Sequence, residues 1–147
     1  MADSQLAPVL FTRATGYRLR GRIHFDKACV GEVVPGRDES YVVFRKMILD
    51  PLPGRTEPGA LFTVRFHFNR LSTEANKRLS LLPAPFIAAQ PGFRSKSWML
   101  GEETGMFQGV YEWQTVADAE AYWASFPMRL MKRRAAPATL WREIIAT

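Results

Sequence analysis

The side chains whose types and spacing could most readily do chemistry are Arg65, His67 and Asn69. Across residues 61–69 they alternate with Phe62, Val64, Phe66 and Phe68. Successive side chains of a strand point to opposite faces, so one face is a row of apolar groups and the other carries Thr63 and these three polar ones. An imidazole titrates near neutral pH and can take a proton, a guanidinium can stabilise a developing phenolate or enolate, and a carboxamide can hydrogen-bond a carbonyl. His67 is therefore read as a catalytic base, Arg65 as the anion stabiliser and Asn69 as the carbonyl partner. The competing reading is a buried hydrogen-bond network or a polar subunit contact, because buried polar groups are normally paired.

Two further pairs sit at strand spacing. Lys96 and Trp98 share one face of a strand, a second cation beside a flat wall for a planar ligand; Tyr111 and Trp113 share a face of the next strand. These four are read as substrate-binding. The plainer alternatives are core or interface packing for the aromatics and a surface charge for Lys96. Other chemistry lacks residues. Two histidines (His24 and His67) and one cysteine (Cys29) make no convincing zinc set and no disulfide, and no glycine-rich phosphate-binding motif is present. Glu102-Glu103 falls on a loop tip and reads as a solvated turn.

The elements that must position these residues follow from periodicity and breakers. Residues 1–15 have no clear period and are expected to be loosely attached. Residues 16–25 alternate Tyr17, Leu19, Gly21, Ile23 and Phe25 with Arg18, Arg20, Arg22 and His24, as a strand with a basic face does. A short β piece at 32–34 ends in the Pro35-Gly36 turn, and residues 40–49 are rich in branched and aromatic side chains. Three prolines and two glycines within 50–59 exclude a helix or central strand and mark a linker. The chain then reads as a strand to Asn69, a helix from Ser72 or Thr73 to about Leu82 with Ala75, Leu79 and Leu82 on one face, and a short second helix to Ala89. A strand at 93–100, a hairpin loop at 102–105 and a strand at 106–114 follow. Thr115 with Asp118 opens a helix striped by Val116, Ala119, Tyr122, Trp123 and Phe126. Pro127 starts another turn or two, and residues 139–145 form a last strand.

The order from residue 60 is β-α-β-β-α-β, which makes a four-stranded antiparallel sheet with both helical segments on one face. The fold expected is α+β and ferredoxin-like, with residues 1–59 as a β-rich extension and 60–147 as the domain. Helices over Phe62, Val64, Phe66 and Phe68 leave the other face bare. Two such faces packed in a homodimer cover each other, with the N-terminal segment extending a sheet or bracing the partner; the alternative is that the N-terminal strands fold back over the face of their own subunit. In the homodimer Arg65, His67 and Asn69 look into the space between subunits.

Composition agrees with a globular domain: 147 residues, 47% hydrophobic and 23% charged. The net charge of +6 is scattered apart from Lys132-Arg133-Arg134 at a helix end, where cations complement the helix dipole, so no nucleic-acid footprint is read from it. No apolar run approaches the ~18 residues of a membrane span, and the first residues lack a secretory pattern. A cytoplasmic protein with a small-molecule partner is expected.

FHFN closing the first strand, PGFRSKSW entering the second, GVYEW in the third and AEAYW on the next helix resemble the dimeric α/β-barrel superfamily, close to its YdhR-like monooxygenase branch and related to antibiotic-biosynthesis monooxygenases. The resemblance covers about residues 60–145. It implies a homodimer of ferredoxin-like subunits, each with a cavity, and oxygen chemistry without metal or flavin. In such relatives the substrate, usually a polycyclic phenol, becomes an electron-rich anion that reacts with dioxygen. Haem-degrading relatives carry an axial histidine on the helix after the third strand; residues 116–134 contain none, so haem breakdown is not expected. The function expected is a cofactor-independent monooxygenase of a planar, partly apolar molecule. Its alternatives are a non-catalytic ligand-binding or assembly subunit and an isomerase or cyclase.

Overall fold

In the computed structural model, which describes residues 22–50 and 57–147, three strands precede the ferredoxin-like unit: β1 (Ile23–Phe25), β2 (Val33–Pro35) and β3 (Ser40–Leu49). The expectations for residues 1–15, for the first part of the 16–25 strand and for most of the 50–59 linker lie outside the described residues. The unit itself runs β4 (Ala60–Phe66), α1 (Thr73–Leu79), α2 (Ala84–Ala88), β5 (Phe93–Gly101), β6 (Phe107–Trp113), α3 (Val116–Trp123), α4 (Phe126–Arg134) and β7 (Trp141–Ala146).

Every strand pairing is antiparallel, and the order is β1-β3-β5-β6-β4-β7, with β2 on β3. The four strands β5-β6-β4-β7 are the ferredoxin-like sheet. Beyond them β3 bonds along the length of β5, so the early strands extend the same sheet. A register shift between Val43 and Arg45 lets β3 turn both Phe44 and Arg45 toward the helices.

Local chemistry sets the helix ends. The Ser72 side chain accepts from the Ala75 N–H at 3.1 Å and the Thr115 hydroxyl from the Asp118 N–H at 3.1 Å, each satisfying an orphan donor of the first turn. α1 stops at Leu79, short of the expected Leu82, since Pro83 and Pro85 cannot continue the ladder. Leu82, expected on the buried stripe, is 69% exposed. Gly92, at φ +81, allows the turn into β5 to press against Asp118, whose carboxylate fills the space a Cβ would need.

The core lies between sheet and helices. Phe62, Val64 and Phe66 pack there with Tyr111, Trp113, Phe93, Ile87, Tyr122 and Met128, nearly all of them sealed from solvent. Such burial is worth roughly 25 cal/mol per Å² of apolar surface and is the main stabilising term. The helix-free face holds a smaller cluster of Cys29, Tyr41, Val43 and Met99, while Trp141 and Ile145 remain exposed. Among the described residues no helix is long and apolar enough to cross a membrane.

Candidate functional site

The alternation of β4 decides which side chains reach the cavity. Phe62, Val64 and Phe66 face the helices, as their spacing requires, and Arg65 faces the other way. The large cavity, about 560 Å³, lies on the helix side, over β4, β5 and β6 and between the α1–α2 arm and α4. It forms there because α1 and α2 are short and α3 packs over Phe62, leaving Val64, Phe66 and the middle of β5 roofed only along the edges. Its walls are mostly apolar, and it reaches the surface between the exposed Leu82 and Leu130.

At its floor stands Lys96, which is only 8% exposed. Its Nζ lies 4.4 Å from the Trp98 ring centre and 4.6 Å from that of Tyr111, and among the described residues no acidic side chain lines the cavity. Burial, helped by the Arg45 guanidinium, pushes the amine down to about 7, because an ammonium without water or a counter-ion is costly. The two ring faces compensate in part through cation–π attraction. Room for the side chain comes from Gly109: a Cβ there would meet Tyr111 Cε1 at 3.0 Å and Lys96 Cε at 3.3 Å.

The neighbours of Lys96 are themselves held. Arg45 donates to the Lys77 carbonyl at 3.0 Å and to Ser80 Oγ at 2.8 Å, tying the end of α1 to the sheet, and sits 5.2 Å from the Trp98 ring centre. The Tyr122 hydroxyl of α3 donates to the Tyr111 hydroxyl at 3.0 Å, which leaves Tyr111 its own proton to donate. Burial raises both phenols well above their ordinary range. Trp98 Nε1 is buried with no acceptor in the described chain. Across the cavity Arg134 donates to Asn76 Oδ1, and Asn76 Nδ2 in turn donates to the Arg70 carbonyl at 2.9 Å; this buried amide links α1 to the end of α4.

Of the residues singled out from sequence, Lys96, Trp98 and Tyr111 are brought together around this space. Trp113 is fully buried in the core, stacked on Tyr111 and tilted against Tyr122, and does not line the cavity. Arg65, His67 and Asn69 do not line it either. Arg65 Nε donates to Gln108 Oε1 on the helix-free face, and its guanidinium lies 4.5 Å from the Trp141 ring centre and 5.3 Å from that of Tyr41. His67 follows the end of β4, where its N–H donates to Thr139 Oγ1 and its carbonyl accepts from the Ala136 N–H. Asn69 is exposed and bonds the Arg133 and Arg134 carbonyls, finishing the last turn of α4. Arg65 points to the helix-free face, as alternation requires, whereas for His67 and Asn69 the physical reason is the end of β4 at Phe66, beyond which alternation no longer assigns a face. Sequence reasoning missed Gly109, Tyr122, Arg133 and Arg134. Only the small residue at 109, between large ones, carried a readable sign of open space.

Fold and site together define a ferredoxin-like α+β protein with a largely apolar cavity beneath its helices. The family model described as "Putative mono-oxygenase ydhR" matches residues 61–139, and the chain belongs to that family. An uncharacterised ferredoxin-fold protein from Listeria monocytogenes, related to antibiotic-biosynthesis monooxygenases, superposes with a TM-score of 0.55 at 13% identity, over 79% of this chain and 69% of its own. The haem-degrading enzyme LmHde of the same organism gives 0.54 at 13% identity, over 75% and 72%. At that identity the likeness speaks to the fold. No curated protein matches the sequence.

Proposed function

We propose that this chain is a monooxygenase needing neither metal nor flavin, and that it oxidises a planar, partly apolar molecule bearing an ionisable phenol or enol. The observation that carries this reading is Lys96, a buried amine without a counter-ion among the described residues, on the floor of a cavity large enough for a ring compound. With the amine near 7, a neutral fraction exists at physiological pH and can take the phenol's proton. The ammonium so formed stays beside the anion and stabilises it, strongly because water is excluded. Tyr111 offers its hydroxyl, the Trp98 ring gives a flat wall, and the apolar walls fix the ring plane. The electron-rich anion then supplies the electrons for dioxygen; one oxygen atom enters the substrate and the other leaves as water.

Arg133 and Arg134, at the rim on α4, favour a substrate with a second, acidic group near the entrance. The helix-free face, with Trp141 and Ile145 exposed, supports pairing with a second copy as the homodimer of this reading.

The test is oxygen uptake with a polycyclic phenol such as a naphthalenediol. Saturable uptake above autoxidation, lost in Lys96→Met, is the result expected. No uptake above autoxidation, or uptake unchanged in that variant, overturns the proposal. Turnover of the phenol without oxygen uptake would instead favour the isomerase reading.

A further inference from the structure

We propose that Lys96 is also a nucleophilic amine, which captures the carbonyl carbon of a planar aromatic aldehyde or ketone as an imine inside the cavity. The geometry is that of an amine stripped of the partners that normally keep a lysine protonated. Its Nζ faces two aromatic rings, from Trp98 on its own strand and Tyr111 on β6, and the described residues bring no carboxylate into the cavity it enters. The charged and titratable groups around it are Arg45 from β3, Tyr111 from β6, Tyr122 from α3, and Arg133 and Arg134 from α4; the α1–α2 arm contributes none to the lining. All the charged ones are cations, so each favours the neutral amine. Desolvation in an apolar pocket beside another cation is how lysine nucleophiles are made.

The chemistry is complete within the pair. The amine lone pair attacks the carbonyl carbon, the C–O π pair moves to oxygen, and the resulting carbinolamine loses that oxygen with both amine hydrogens as water. A C=N bond remains, and no oxidant, reductant or cofactor is consumed. The imine, once protonated, takes up the place of the ammonium between the Trp98 and Tyr111 rings, where a delocalised cation is well accommodated. The apolar walls select an aromatic carbonyl over a sugar or a small hydrated aldehyde.

This inference uses the cavity but not the oxygen chemistry, and the two are separable. The full chain is incubated with 2-hydroxy-1-naphthaldehyde at pH 7, reduced with sodium borohydride, digested and mapped by mass. Lys96 is one of five lysines, with Lys27, Lys46, Lys77 and Lys132 as internal controls. The expected result is a reduced adduct on Lys96, formed on the order of tenfold faster than on any other lysine because its neutral fraction is far larger. The rate should rise through a midpoint near 7. The adduct should disappear in Lys96→Arg, which keeps the charge and most of the bulk, with the other four lysines labelling as before. Adducts spread evenly over the lysines overturn the proposal. So does an unlabelled Lys96 when quenching of tryptophan emission shows the aldehyde bound. A Lys96 adduct in protein that takes up no oxygen with phenols sinks the monooxygenase reading alone; oxygen uptake without any adduct sinks the imine alone.

Discussion

Arg65 and Lys96 are cations on opposite faces of one sheet, and they are treated oppositely. Arg65 has an acceptor in Gln108 and two aromatic neighbours in Tyr41 and Trp141. Lys96 has two rings and no acceptor at all among the described residues. A cation with an acceptor and aromatic neighbours of its own contributes to the fold. One held without a counter-ion carries a desolvation cost that its two aromatic neighbours offset only in part, and a ligand anion or proton loss relieves it. The difference between structural and functional charge is therefore written in the partners.

The largest effect expected follows from removing the unpartnered cation. Lys96→Met should lower phenol-dependent oxygen uptake by roughly a hundredfold or more, the scale of a lost general base. Its stability should move the other way. The amine sits near 7 in the folded chain and at its ordinary 10.5 when unfolded. Between those values the unfolded state binds more protons, so wild-type stability climbs as pH rises through this window. Lys96→Met abolishes that climb. It should melt above the wild type at pH 6.5 and converge with it by pH 10.5, as thermal unfolding at the two pH values would show.

Arg65→Met is the matching perturbation of the other face. It leaves the buried Gln108 carbonyl without its donor and should cost about 1–3 kcal/mol in denaturant titration, with kcat unchanged. A Lys96-like loss of activity there would erase the contrast. Removal of the strut across the cavity comes next: Asn76→Leu strands Arg134 and the Arg70 carbonyl and should cost about 2 kcal/mol, with weaker ligand binding through a loosened roof. Trp98→Phe strands no acceptor among the described residues but trims a buried ring that walls Lys96. It should lower the melting temperature slightly while weakening phenolate binding by about fivefold, measured by calorimetry. Smallest is Gly109→Ala, whose methyl meets flexible Lys96 and the Tyr111 ring edge. It should shift the apparent pKa of activity rather than abolish it.

How much of this was legible beforehand depended on periodicity. β3 occupies the residues its branched and aromatic run marked, the Thr115 cap opens α3, and the β-α-β-β-α-β order yields the ferredoxin-like sheet. The two faces of β4 were readable for the same reason. What alternation cannot say is which face stays open, because that depends on helix length and on where the roof fails to close. Leu82 was expected to cover the core and instead lies at the cavity's mouth. Alternation also lost its meaning past Phe66, so His67 and Asn69 took up backbone contacts with the Thr139 loop and the end of α4. Lys96 was legible as a cation beside Trp98, but its burial without an acceptor was not, since its surroundings come from Arg45 on β3 and Tyr111 on β6, apart from it in the chain.

The most direct measurement is the titration of the five lysine ε-methylene groups by carbon-detected NMR on protein carrying labelled lysine, with Lys96→Arg to assign the signal. One lysine resonance moving with a midpoint near 7, absent from the variant, is the result predicted. Five resonances all titrating near 10.5 would mean that Lys96 keeps its proton in the cavity, and neither a base nor a nucleophile would stand there.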